Sequence, residues 1–118
     1  MYLPAPDEGT WVGVVRLVLE VPGARSLKDK RRVVHQVRDR LRARRNVSVA
    51  EVGHLEHHSR AVMAIAMVGN DARHLRSALD ALVHEIGQWQ VALIDDATVR
   101  LLRPDDGEGP AGYDDDDA

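Results

Sequence analysis

Hydrophobic and polar residues begin to alternate at Trp11. From there to Val21, WVGVVRLVLEV places Trp11, Val15, Leu17, Leu19 and Val21 at odd positions, while the even positions mix Val12, Val14 and Val18 with Arg16 and Glu20. This period of two, rich in β-branched residues, predicts a strand buried on at least one face. Pro22 and Gly23 end it, and the period changes. Leu27, Val34, Val37 and Leu41 recur at helical spacing, with Val33 widening the stripe, and predict a helix over residues 27–44. Ser26 stands where an N-cap belongs, and Asp29, three residues on, suits reciprocal capping. Asn46 marks the turn out. VSVAEVGHL (47–55) reads as a second strand, EHHS (56–59) as a polar connector and RAVMAIAMVG (60–69) as an apolar third strand. Asn70 and Asp71 offer a turn and cap for a second helix, whose stripe is Leu75, Leu79, Leu82, Val83 and Ile86 and whose stop is Gly87. WQVALIDDATVRLL (89–102) closes the pattern as a strand, interrupted by a bulge or turn at Asp95 and Asp96.

The order strand, helix, strand, strand, helix, strand predicts an α+β, ferredoxin-like βαββαβ sandwich, a four-stranded antiparallel sheet with two helices on one face. The other face then meets solvent or a partner. Val12, Val14 and Val18, with one alternating set from the third strand, make that face too apolar for water, and a homodimer paired through it is the simplest cover.

Composition narrows the chemistry. The 118 residues contain no Cys and no Phe. Disulfides and thiolate chemistry are therefore excluded, and the core must be aliphatic. No apolar run spans a bilayer, and MYLPAPDEGT does not read as a secretory signal, so a cytoplasmic protein with no membrane partner is expected. The formal net charge of −3 conceals an asymmetry. Residues 104–118 hold seven acidic groups and no basic one, leaving the remainder at +4. The expected organisation is a flexible stretch over 1–10, a folded domain over 11–102 and a disordered acidic tail over 103–118, able to compete with nucleic acid for basic residues.

The run GVVRLVLEVPGARSLKDKRRVVHQVRDRLRARRNVSVAEVGH, followed by RAVMAIAMVGNDARHLRSALDAL, resembles the YlxP-like family, a bacterial domain of unknown function (503). SLKDKR, then NVSVAEV, then the turn Val68-Gly69-Asn70-Asp71 carry the resemblance over roughly residues 11–102. It implies a ferredoxin-like fold and no assigned activity. Members are often encoded beside translation-initiation and ribosome-maturation genes, which hints at ribosomal RNA as a partner.

Ten of the sixteen Lys and Arg residues lie in 22–45, against only Asp29 and Asp39. Arg25, Lys28, Lys30, Arg31, Arg32, Arg38, Arg42 and Arg45, with Arg44, are the candidate contacts for a phosphate backbone, some of them expected to pair with Asp39 or Glu51 instead. Base stacking on the sheet is not expected, because its central strands lack aromatics after Trp11. His54, His57 and His58, with Glu56, have metal-ligating side chains but match no established ligand spacing. The loop PGARS invites comparison with the phosphate loop of the acylphosphatase group, Gly23, Arg25 and Ser26 imitating it and Asn70 positioning water. That loop's glycine and glutamine pattern is missing, as are a Ser/His/Asp set and nucleotide-binding glycine motifs. The expected function is a non-catalytic accessory protein that binds structured RNA through its first helix and needs no cofactor. The alternatives are a protein-interaction module using the sheet face and, more weakly, a phosphate hydrolase.

Overall fold

The structure is a computed structural model, and it describes residues 9–104. The expected flexible stretch and acidic tail fall outside the described residues, except for residues 9, 10, 103 and 104. The elements are β1 (Trp11–Glu20), α1 (Leu27–Arg44), β2 (Ser48–Gly53), β3 (Arg60–Gly69), α2 (Ala72–Gln88) and β4 (Leu93–Leu102). The strands form one antiparallel sheet in the order β2-β3-β1-β4, so each helix crosses over one strand to reach the next. This is the ferredoxin-like arrangement. No helix among the described residues is long and apolar enough to cross a membrane.

The inward side of β1 is Val15, Leu17 and Leu19, all fully buried. They meet Met63 and Ile65 of β3, Val34, Val37 and Leu41 of α1, and Leu75, Leu79, Leu82 and Ile86 of α2. Both helices therefore share one aliphatic core. α2 comes down on β1 at Gly13, where a Cβ would lie 2.3 Å from Leu79 Cδ1. The glycine is what permits the close approach.

Local chemistry sets the element ends. Ser26 Oγ accepts from Asp29 N at 3.1 Å, and Asp71 Oδ1 accepts from His74 N at 3.1 Å. These side chains satisfy first-turn donors that have no partner inside the helix. Gly87 does not stop α2. The helix runs through it to Gln88, and the chain reverses at Gln90, which adopts a left-handed φ of 59°. The break in the last strand is a bulge. Leu19 pairs with Ile94 and Val18 with Asp96, leaving Asp95 extra, and its carboxylate accepts from Arg60 at 2.7 Å.

Candidate nucleic-acid interface

Successive residues of α1 rotate by about 100°, so its cations cannot share one environment. Val34, Val37 and Leu41 fix the buried side, and Lys30 completes it at the same spacing. Lys30 is thus not a surface cation, contrary to the expectation from sequence. Its side chain is fully buried, with Nζ 2.7 Å from Glu51 Oε2. The ammonium also donates to the carbonyls of His54 at 2.8 Å and Leu55 at 3.4 Å. With two carbonyls and a carboxylate around this fully buried ammonium, no phosphate can be served from this position. Lys30 instead clamps the β2–β3 connector to α1. His54 holds a left-handed φ of 53°, strained for a residue other than glycine, and its carbonyl carries the stronger of the two connector bonds.

The other candidates divide by side. Arg40 lies over the ring of Trp89 at 4.2 Å, and Arg45 pairs with Glu85, which marks the flank facing α2. Arg40, Arg44 and Arg45 line a hollow of about 260 Å³ with Glu85 and Trp89. On the outward flank, Arg31, His35, Arg38 and Arg42 follow at intervals of four, three and four residues, which stacks them along one line of the helix. Arg38 bonds Asp39 at 3.0 Å. Arg25, Lys28, Arg31, Arg32 and Arg42 are exposed and form no ion pair with another described residue. Arg40, which the sequence reading did not single out, joins this surface at its inner border. Its signal was the Trp89 ring at the end of the neighbouring helix.

The acylphosphatase-like set does not assemble. Ala24 N already donates to Val21 O at 3.2 Å, and Arg25 N donates to Asp29 Oδ2 at 3.0 Å, so these amides do not face outward to a ligand. Trp11 pairs with Gly69 and Glu20 with Arg60, so Asn70 and the PGARS loop occupy opposite ends of the sheet. Ten strand residues separate them by about 30 Å.

The histidines do come together, in a row. Ring centroids are 5.8 Å apart for His54 and His57, and 5.7 Å for His57 and His58. His57 Nδ1 already accepts from Ser59 N at 3.2 Å. Among the described residues no group of three His, Cys, Asp or Glu side chains has an arrangement that could hold a metal ion.

Val12, Val14 and Val18 lie on the face of the sheet away from the helices, each half-buried. The sequence profile of DUF503, described as a protein of unknown function, matches residues 12–99. The chain belongs to this family. The DUF503 match begins within β1 and ends within β4, so it takes in the SLKDKR segment whose Ser26, Asp29 and Lys30 form the helix cap and the connector clamp. No curated protein matches the chain. A de novo designed protein, Foldit4, is similar at 14% identity with a TM-score of 0.47, covering 79% of this chain and 96% of its own.

Proposed function

We propose that the protein binds the phosphate backbone of structured RNA, with ribosomal RNA the first class to test, through the outward flank of α1 and without catalysing a reaction. The observation that carries this reading is the set Arg25, Lys28, Arg31, Arg32 and Arg42, exposed and unpaired among the described residues. Lys28 and Arg42 are fourteen residues apart, about 21 Å along a helix axis, which covers several successive phosphates. The first turn adds the positive end of the helix dipole beside Arg25 and Lys28. The sheet offers no aromatic platform in its centre, so recognition rests on charge and shape rather than on base identity.

The test is fluorescence-anisotropy titration of ribosomal RNA fragments and matched duplex DNA across a salt series. Five phosphate contacts predict a loss of affinity of roughly 500-fold between about 50 and 200 mM salt. Arg31→Glu with Arg42→Glu should weaken binding about tenfold or more and reduce the salt slope by about two. No binding at low salt, or binding that ignores the double variant, overturns the reading. Equal affinity for the DNA duplex replaces RNA with nucleic acid in general.

A further inference from the structure

The open face of the sheet has its own organisation, independent of α1. Strand register places its side chains in rows. Val68 and Val12 stand beside Leu102, and Ala66 and Val14 beside Arg100. Ala64 and Arg16 stand beside Thr98, and Arg60 faces Glu20 at the far end. The first row is apolar and exposed, Val68 at 62% and Leu102 at 51%. Across the rows the face divides into two halves. The β2–β3 half presents Ser48, Ala50, Ala64 and Ala66, which line a shallow trough of about 230 Å³. The β1–β4 half presents Val14, Arg16, Thr98 and Arg100, which line a second hollow of about 360 Å³.

We infer that this face is the interface of a homodimer, with a two-fold axis parallel to the strands and lying between β1 and β3. Under that symmetry each β1 side chain meets the residue of the second copy that is its own neighbour on β3. Val12 meets Val68 and Val14 meets Ala66, so apolar groups cover apolar groups, while Val62, beside Val18, is already buried within one chain. The β1–β4 half of each copy lies over the β2–β3 half of the other. Arg16 lies over Ala64 and Ala50, a length that lets its guanidinium reach water at the rim past the β2 edge. Glu20 meets Arg60 of the second copy, adding opposite charge where Arg60 already lies 3.6 Å from Glu20 within one chain. The occupant is a second copy because this axis matches the face to itself, setting the exposed apolar row of Val12, Val68 and Leu102 against its own copy and Glu20 against Arg60. Three strands of ten residues and one of six make up the face. At about 3.3 Å per residue and a spacing of about 4.8 Å, they give about 570 Å² per copy, roughly 1,100 Å² in all, the range of weak, transient interfaces. The dimer is therefore reversible and concentration-dependent.

Sedimentation of the full chain over a concentration series tests this. The expected species at high concentration has twice the 13.1 kDa chain mass. Val14→Arg and Ala66→Arg should each raise the dissociation constant about tenfold or more, while Arg42→Glu on α1 leaves it unchanged. Circular dichroism melts confirm that each variant folds. The absence of cysteine makes the symmetry testable as well. A short bismaleimide should cross-link a mixture of Val14→Cys and Ala66→Cys chains, and should not cross-link Val14→Cys chains with Ala43→Cys chains. A monomer at every concentration overturns the inference, and so does a dimer indifferent to Val14→Arg and Ala66→Arg. Cross-linking through Ala43 overturns the face and axis together.

Discussion

Lys30 and Arg31 follow one another in a run of cations, yet only Arg31 meets water. The difference is position on the helix. Lys30 stands four residues before Val34 and seven before Val37, on the buried stripe, and Arg31 is turned a further 100° outward. Removing Lys30 would leave Glu51, whose side chain is 14% exposed, without its counter-ion, and the His54 carbonyl without its donor. Lys30→Ala should therefore lower stability by about 3–5 kcal/mol in urea denaturation, while Arg31→Ala should stay within about 0.5 kcal/mol. If the two substitutions cost the same, the clamp is not contributing. The stripe was legible in the sequence, and the place of Lys30 within it was visible too. What hid its role was composition, because ten neighbouring cations make any one of them read as surface. Glu51 of β2 was expected to pair with one of these cations, but no local pattern announces which one, nor the connector carbonyls of His54 and Leu55 that Lys30 also meets.

At the scale of elements, residues that act on their own segment were the legible ones. Ser26 and Asp71 cap the helices they were expected to cap. Asp95 is the bulge. The ends that the sequence misplaced depend on other elements. Gly87 has the freedom to end a helix, but α2 continues because its last turn packs Ile86 into the core. The expected second strand, 47–55, shortens to 48–53 because His54 turns left-handed where Lys30 holds it. Two changes test how the elements hold together. Ser26→Ala should cost about 1 kcal/mol by leaving the Asp29 amide unpaired. Gly13→Ala should cost about 1–3 kcal/mol, because the added methyl collides with Leu79 at the seat of α2. Thermal melts of both variants measure this, and an unchanged melting temperature for Gly13→Ala would show that α2 can shift without loss.

The whole molecule has two unlike sides. The helices and their cations lie on one, and the open sheet with its apolar first row lies on the other. A change on one side should leave the other undisturbed. Val14→Arg should leave the affinity for a short RNA unchanged, and Arg31→Glu with Arg42→Glu should leave the sedimentation behaviour unchanged. Cross-talk between the two would mean that the surfaces are not separate. The sequence disclosed this layout because it follows from element order, but not which residues share a row across the open face. The rows depend on register, and a shift of one residue would exchange the faces.

Placing the cations behind the sheet also sets valency. Two chains joined through their sheets would carry their cationic helices on opposite outer surfaces, about 30 Å between helix axes at layer spacings of about 10 Å. Such a particle cannot press both helices onto one short duplex. It would hold two separate stretches of a long RNA, each tethering the other at raised effective concentration. Its grip on extended, folded RNA would then exceed that of either chain alone, and the excess would vanish on dilution to monomer.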